Sequence, residues 1–309
     1  MSDAGKADAG YNPGFVLYHY DPSKTAAAIF VFLFSASTVL HSYQLAVKKT
    51  WYFIPFVAGG ICQSVGYGGR IWSSLETPNW TLQPFIIQSL LILVAPALFA
   101  ASIYMILGRL IRLVDAAHYS VLPLKWLTKI FVTADVISFF MQGAGGAMLA
   151  IAKSAQDFQN GQNVIIGGLF VQLTAFSLFM VVAAVFHKRM LAYPVRPSHS
   201  DNIPWKRYLW VLYAVSGLIL VRSIFRVIEY LQGYNGSLQR TEYCLYIFDA
   251  MLMFAVMAIL NVFHPSHVIS SKALVHSSWQ STVSTEQELQ DSNAWSGSQG
   301  RPATAKAII

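Results

Sequence analysis

The stretch WVLYAVSGLILVRSIFRVIEYLQG, residues 210–233, decides the fold of this chain. It begins as an apolar run long enough to cross the hydrocarbon core of a bilayer, which needs about 20 helical residues. Arg222, Arg226 and Glu229 then appear inside it, and their i, i+4 and i+7 spacing puts them on one face of a helix. Ionisable groups within a spanning helix are costly in lipid, so we expect these three to face protein or water and to have partners.

The composition of the whole chain also indicates a membrane location. Of its 309 residues, 55% are hydrophobic and only 11% are charged, with a mean hydropathy of +0.48. Soluble domains carry about 25% charged residues. The net charge of +7 includes no basic run interleaved with stacking aromatics on a polar segment. These features predict a multi-pass membrane protein and argue against nucleic-acid binding.

Seven long apolar runs predict seven transmembrane helices and an all-α fold. They cover residues 25–47, 51–71, 83–108, 127–151, 163–186, 208–230 and 242–262. We therefore expect a short extracellular N-terminal tail (1–24), a seven-helix transmembrane domain (25–264) and a cytoplasmic C-terminal tail (265–309). That last part is rich in Ser and Thr and has no apolar period, which predicts disorder.

The basic residues of the short loops predict the orientation, because cytoplasmic loops carry an excess of Lys and Arg. With the N-terminus outside and the C-terminus in the cytoplasm, the inner positions hold Lys48, Lys49, Arg109, Arg112, Lys125, Lys129, Lys188, Arg189, Arg196, Lys206 and Arg207. The outer positions hold only Arg70, Lys153 and Arg240. Two N-x-[ST] sequons, at Asn79 and Asn235, fall in loops assigned outside and are candidate glycosylation sites.

Matching the depths of charged residues in neighbouring spans predicts partners for the sixth span. At about 1.5 Å per residue, Arg222 lies roughly 12 Å below the outer end of its helix. Asp249 lies about 10 Å below the outer end of the seventh span, so the two residues match in depth. In a regular helix, Glu242 and Tyr246 share one face with Asp249.

A cluster of charges is therefore predicted in the outer half of the bundle. Arg70, at the outer end of the second span, matches Glu229 or Glu242 in depth. The candidate substrate-binding residues are Arg70, Arg222, Arg226, Glu229, Glu242 and Asp249. Two interpretations remain open. In one, these residues surround a cavity open to the outer leaflet or the exterior; in the other, they form a closed salt-bridge network that only fixes helix packing.

A second intramembrane polar group lies in the fourth span, where Asp135 and Gln142 share one helix face at i and i+7. A lone Asp within a span can relay protons or bind a cation. It can equally serve as a hydrogen-bonding hub between helices, and we favour the hub.

Motifs for catalysis and for bound cofactors are missing from the sequence. It contains no P-loop, no nucleophile elbow and no Lys in the last span that could form a retinal Schiff base. His41 lies within a span, whereas His187, His264 and His267 lie at inner helix ends, where helix capping is favoured over metal binding. We therefore predict no enzymatic activity, no cofactor and no metal site.

Several stretches together resemble the fungal RTA-like family, also called the lipid-translocating exporter family. They are GYGGR (66–70), APALFAASIYMILGR (95–109), DVISFFMQGAGG (135–146), RSIFRVIEYLQG (222–233), EYCLYIFD (242–249), the dipeptide at 264–265 and the tripeptide at 11–13. The resemblance covers about residues 10–268. It implies a seven-helix fungal membrane protein, located in the plasma membrane, connected with stress and with resistance to toxic amphiphiles.

The function that the resemblance implies is translocation of amphipathic lipids, such as sphingoid bases or sterol-like compounds. In this hypothesis, Glu229, Glu242 and Asp249 offset a substrate ammonium group. The arginines of the cluster hold a phosphate or carboxylate. The partners are then membrane lipids or amphipathic small molecules.

Two other functions stay open. One is a receptor-like seven-helix sensor of lipids or stress that signals through its inner loops and its tail, although no D-R-Y triplet follows the third span and no N-P-x-x-Y ends the seventh. The other is an intramembrane hydrolase, which would need a bound metal.

Overall fold

The computed structural model describes residues 20–77, 79–114, 120, 123–152, 154–192, 205–233, 236, 238 and 241–264. The regular structure within these residues is helical. It comprises α1 (Lys24–Lys48), a 3₁₀ turn (Trp51–Phe53), α2 (Ile54–Leu75), α3 (Leu82–Leu113), α4 (Leu124–Ile151), α5 (Ala155–Ala192), α6 (Trp205–Leu231), α7 (Glu242–Leu245), a π-helical turn (Tyr246–Met251) and α8 (Leu252–Val262). The prediction of an all-α membrane protein is confirmed.

Six helical segments of the described chain are long and apolar enough to cross a membrane: α1, α3, α4, α5, α6 and the segment from α7 to α8. The remaining predicted span corresponds to α2, which has 22 residues but contains many Gly, Ser and other polar positions. Its buried polar residues include Gln63 and Arg70. Such residues lower the mean hydropathy of α2, and they are tolerated in a membrane because they face protein rather than lipid. The chain is an integral, multi-pass membrane protein. Its orientation in the membrane stays a prediction.

The bounds of the second, third and fifth predicted spans differ most from those of the helices. The second span was predicted at 51–71, but Trp51–Phe53 form a separate 3₁₀ turn and α2 begins at Ile54. Pro55, in the first turn of α2, favours a helix start there because its missing N–H would have no helical partner anyway. Helices α3 and α5 extend beyond their predicted ends, to 32 and 38 residues, because polar residues continue the helical pattern outside the apolar core.

Small residues bring α4 and α5 into close contact. A Cβ atom placed on Gly145 would lie 2.7 Å from the carbonyl oxygen of Gly161, and one on Gly168 would lie 2.9 Å from that of Ser138. Only glycine permits backbones to approach this closely, and such contacts drive helix association in lipid. Gly145 of α4 and Gly168 of α5 thus permit tight packing between the two helices.

Hydrogen bonds tie the last helix to the first. His41 Nε2 lies 3.1 Å from the carbonyl oxygen of Met257. Asn261 Nδ2 donates to Ser37 Oγ at 2.7 Å, and Gln44 Nε2 donates to the carbonyl oxygen of Asn261 at 3.1 Å. These three contacts join the second half of α1 to α8, so hydrogen bonds connect the first and the last transmembrane helices.

Candidate functional site

The buried charges of α2, α6 and the seventh helical segment form three ion pairs. We call the six residues the ion-pair cluster: Arg70, Arg222, Arg226, Glu229, Glu242 and Asp249. Each arginine has a carboxylate oxygen within hydrogen-bonding distance, at 2.8 Å or less. The cluster is therefore neutral as a whole, which is the arrangement that a low-dielectric interior requires of charged groups.

The pair of Arg222 and Asp249 is the most deeply enclosed, since each side chain is only 1% exposed. Arg222 Nε donates to Asp249 Oδ1 at 2.8 Å, and Nη2 donates to Oδ2 at 3.3 Å. This bidentate geometry fixes both the distance and the relative orientation of the two groups. Arg222 and Asp249, the two residues that their equal depth predicts to be partners, thus join α6 to the π-helical turn.

Arg222 also contacts α3, at a position that Pro96 creates. Proline has no backbone N–H, so the carbonyl oxygen of Ile92, four residues earlier, lacks its usual helical donor. Arg222 Nη2 donates to that oxygen at 3.2 Å. A proline inside a transmembrane helix needs such a substitute donor because lipid provides none. Sequence analysis missed this contact, although the position of Pro96 already identifies the freed carbonyl.

Arg70 binds several partners at the end of α2, and its side chain is 1% exposed. Its Nη2 donates to Glu242 Oε1 at 2.8 Å and to Tyr20 Oη at 2.8 Å, and its Nε donates to Tyr246 Oη at 2.9 Å. The backbone N–H of Ser23 donates to the same Glu242 oxygen at 2.8 Å. Of the two partners that sequence analysis left open for Arg70, the structure selects Glu242.

Tyr20 and Ser23 are additions to the site that the sequence pattern did not reveal. They precede α1, where no periodicity indicates which way a side chain points. Burial raises the pKa of the Tyr20 phenol above its ordinary value. The phenol therefore stays neutral and accepts a hydrogen bond from the guanidinium of Arg70.

The third ion pair lies within a single helix. Arg226 Nη1 donates to Glu229 Oε2 at 2.7 Å, and the two residues are three positions apart on α6. The guanidinium carbon of Arg226 also lies 5.3 Å from the ring centroid of Tyr230. Among the described residues, this ion pair does not bridge α6 to another helix. It leaves both side chains partly open, at 12% and 11% exposure.

The π-helical turn corrects one prediction about the seventh segment. A regular helix would place Glu242, Tyr246 and Asp249 on one face. In the structure, Glu242 and Tyr246 contact Arg70 of α2, whereas Asp249 contacts Arg222 of α6. The wider turn holds an additional residue and so rotates the residues that follow it. The prediction of a regular helix here is wrong. The ion pairs with α2 and α6, and not local helix propensity, determine how far Asp249 is rotated about the helix axis relative to Glu242.

The hydrogen bonds around Asp135 connect α3 with α4. Tyr104 Oη donates to Asp135 Oδ2 at 3.0 Å, and both side chains are buried. The Tyr104 ring packs against Phe131, Phe176 and Phe179 at centroid distances of 5.4, 6.1 and 4.5 Å. A buried aspartate of α4 that accepts a hydrogen bond from a closely packed phenol of α3 matches the description of a hub between helices.

Gln142 lies on the same face of α4, two turns further along, and connects α4 with α5. Its Nε2 donates to Ser138 Oγ at 2.6 Å and to Gln172 Oε1 at 3.2 Å. Ser138 Oγ in turn donates to the carbonyl oxygen of Gly168 at 2.7 Å. The structure therefore separates the polar residues of α4, Asp135 and Gln142, from the ion-pair cluster.

Other candidate positions fall partly outside the described residues. Asn79 lies in the turn between α2 and α3, where its backbone N–H donates to the carbonyl oxygen of Glu76 at 2.7 Å. Asn235 and His267 lie outside the described residues. Within the described part of the chain, no group of three or more His, Cys, Asp or Glu side chains could hold a metal ion.

The fold and the cluster define a multi-pass α-helical membrane protein with paired charges inside its bundle. Residues 56–272 match the profile of a family described as RTA1 like protein. The chain belongs to the RTA1-like family. No solved structure matches it.

Three relatives from Saccharomyces cerevisiae show what proteins the chain is similar to. Protoporphyrin uptake protein 1 is 37% identical over 288 residues, which cover 81% of this chain and 92% of the relative. Protein RTA1 is 36% identical over 277 residues, covering 82% and 86%. Sphingoid long-chain base transporter RSB1 is 25% identical over 268 residues, covering 76% and 69%.

Proposed function

We propose that this protein is a transporter of amphipathic lipids, and not an enzyme, in the plasma membrane. Two of its relatives carry names that describe handling of amphiphiles, protoporphyrin uptake and sphingoid long-chain base transport. The observation that carries the proposal is the neutral ion-pair cluster inside an apolar bundle. Charged groups in a membrane interior are functional sites by default, because lipid imposes a high cost on keeping them there.

In this proposal the ion-pair cluster receives the polar head group of the substrate. A substrate ammonium group would replace an arginine at a carboxylate, and a phosphate or carboxylate would replace an acidic side chain at an arginine. Either exchange leaves the displaced side chain without its counter-charge, so the cost is lowest where the ion pair is partly open to water. Glu242 is the most open member, with 20% of its side chain exposed, and we assign it the first contact with an incoming amine.

The hydrocarbon tail of the substrate would stay against the outside of α1. An open apolar groove on this helix begins next to Ser23, whose N–H binds Glu242. Its lining residues in the described chain are Lys24, Thr25, Ala28, Ile29, Phe32 and Leu33. An acyl chain in this groove places its head group close to Glu242, and the positive-inside bias predicts that this end of the bundle lies at the outer leaflet.

Flip assays on the purified protein test the proposal. The full chain is reconstituted into liposomes, and the rate at which a fluorescent sphingoid base crosses the bilayer is compared with that in protein-free vesicles. We expect acceleration, and we expect Glu242→Gln to reduce it by about five- to tenfold, since it removes the charge but keeps the shape. The matched control is Glu76→Gln, which lies at the same end of α2 and binds only Thr81 among its described side-chain contacts. Folded protein that gives no acceleration over empty vesicles would refute transport of this substrate.

A further inference from the structure

Two buried side chains of α2 have polar atoms that the described fold does not satisfy. Gln63 and Tyr67 are both 0% exposed. Among the described residues, neither the amide nitrogen and oxygen of Gln63 nor the phenol oxygen of Tyr67 has a hydrogen-bond partner. More than about 90% of buried polar groups in proteins are paired, and an unpaired one costs about 1–3 kcal/mol. These two residues lie one turn apart on the same helix face, so a single polar group between the helices can pair with both.

The helical phase of Gln63 directs it into the bundle. A Cβ atom placed on Gly59 would lie 2.7 Å from the ring of Phe99 in α3. One on Gly60 would meet the hydroxyl of Thr38 in α1 and would lie 2.8 Å from the terminal methyl of Met257 in α8. At 100° per residue, Gln63 lies between these two glycines around the helix axis. It therefore lies on the face of α2 that packs against α1, α3 and α8, away from lipid.

Tyr67 lies one turn closer to the ion-pair cluster. Its ring stacks on Phe34 at a centroid distance of 5.6 Å and on Phe30 at 5.8 Å, and it lies 6.1 Å from the ring of Tyr246. This packing fixes the ring and leaves its hydroxyl directed at no protein acceptor among the described residues. With Arg70 three positions further along α2, the three side chains form a polar line about 10 Å long from the charged end towards the middle of the bundle.

The chemistry of these groups selects the ligand. All the charges of the ion-pair cluster are already compensated, so the unsatisfied groups that remain on α2 are neutral. The charges near them already belong to ion pairs, so an added ammonium or phosphate group would have no free counter-charge, which is unfavourable in an apolar interior. A hydroxyl group suits them, since the amide of Gln63 both donates and accepts hydrogen bonds, as does the phenol of Tyr67.

We propose that Gln63 and Tyr67 bind a hydroxyl group of the amphiphile head group, at a position inward of Arg70 along α2. This inference rests on the proposed transport function. It adds a requirement to the substrate, which must be an amphiphilic alcohol as well as a charged amphiphile. Sites that hydrogen-bond a substrate hydroxyl discriminate strongly against the analogue that lacks it, because the site is then left unpaired.

The test compares two amines of equal chain length, sphinganine, which carries hydroxyl groups, and octadecylamine, which carries none. Initial flip rates are measured in proteoliposomes, and the shift of the melting midpoint on adding each probe is measured in detergent. Tyr67→Phe removes only the phenol oxygen, and Gln63→Met replaces the amide by an apolar group of similar shape. The matched control is Tyr43→Phe, on the lipid-facing side of α1, where Tyr43 is 66% exposed. Because each test variant removes an unpaired polar atom and little volume, both should fold.

We expect wild type and Tyr43→Phe to prefer sphinganine by about tenfold, and both test variants to reduce this ratio towards one. A wild-type ratio of one, or a preference that survives in both test variants, would overturn the inference. Transport without hydroxyl preference would leave the proposed function intact and refute only this site. A melting-midpoint preference that the variants lose, without any transport, would support the site and refute the transport function. Neither transport nor a midpoint shift would refute both.

Discussion

Arg222 donates a hydrogen bond to the carbonyl oxygen that Pro96 leaves free on Ile92, at 3.2 Å. The same guanidinium binds Asp249 through two nitrogen atoms. One side chain of α6 therefore holds α3 and the π-helical turn at once. A residue with three simultaneous contacts in a dry interior is hard to replace, and the first two predictions follow from it.

Removing the negative partner of Arg222 should destabilise the protein strongly. Asp249→Asn leaves a buried guanidinium without its counter-charge, which costs about 3–5 kcal/mol in soluble proteins. We expect a clear drop in the melting midpoint of the purified protein in detergent, and a partial recovery when Arg222→Asp is combined with Asp249→Arg. The control is Asp157→Asn, an exposed residue that binds Ser154 at the start of α5. A melting midpoint as high as that of the control would show that the ion pair does not stabilise the fold.

The proline and the arginine should be coupled energetically. Arg222→Lys keeps the positive charge but presents a single ammonium group, which cannot reproduce the planar fork that reaches both Asp249 and Ile92. We expect it to lose about 1 kcal/mol of unfolding free energy. Adding Pro96→Ala should recover part of this loss, because a backbone N–H at position 96 can then donate to Ile92. A double-mutant cycle measures the coupling. Strictly additive effects would argue that the freed carbonyl does not depend on Arg222.

The hub interpretation of Asp135 makes a prediction about transport. Asp135→Asn still accepts the hydrogen bond from Tyr104 but cannot exchange a proton. As a hub, the residue should tolerate this change with less than about twofold effect on the flip rate, whereas Asp135→Leu should lower the melting midpoint by leaving the Tyr104 hydroxyl unpaired. Loss of transport in Asp135→Asn with an unchanged melting midpoint would favour a proton relay instead.

The C-terminal tail separates a transporter from a sensor. Residues 265–309 lie outside the described residues, and sequence analysis assigns them to a disordered cytoplasmic tail. For a transporter, we expect deletion of residues 270–309 to leave the flip rate in proteoliposomes within about twofold of the full chain, because disordered segments add no packed core. Resistance of cells to a toxic amphiphile should likewise persist. Intact flip with lost resistance would instead indicate that the tail carries a signal.

Much of the architecture follows from the sequence because lipid imposes simple rules. Apolar runs of fixed length locate the spans, and charged residues at equal depth find each other, as Arg222 and Asp249 do. The same reasoning cannot choose among partners that lie near the membrane surface. Depth alone allows Arg70 to pair with Glu229 or Glu242. In the structure Arg70 pairs with Glu242, whereas Glu229 pairs with Arg226 on its own helix.

Contacts that depend on irregular backbone could not be predicted. Tyr20 and Ser23 contact the ion-pair cluster from a segment that has no helical periodicity. The π-helical turn interrupts the α-helical periodicity from which the sequence predicts the face that Asp249 occupies. The unpaired state of Gln63 and Tyr67 was equally hidden, because glutamine and tyrosine in a span read as ordinary polar packing until their neighbours are known.

The π-helical turn acts as a rotational lock on the seventh segment. One residue corresponds to about 100° of rotation in an α-helix. If the extra residue of this turn were withdrawn, everything after it would turn by that angle relative to Glu242. Arg70 could then keep Glu242 only if Arg222 lost Asp249. The two ion pairs are therefore compatible only in this one register, and the π-helical turn is what sets it.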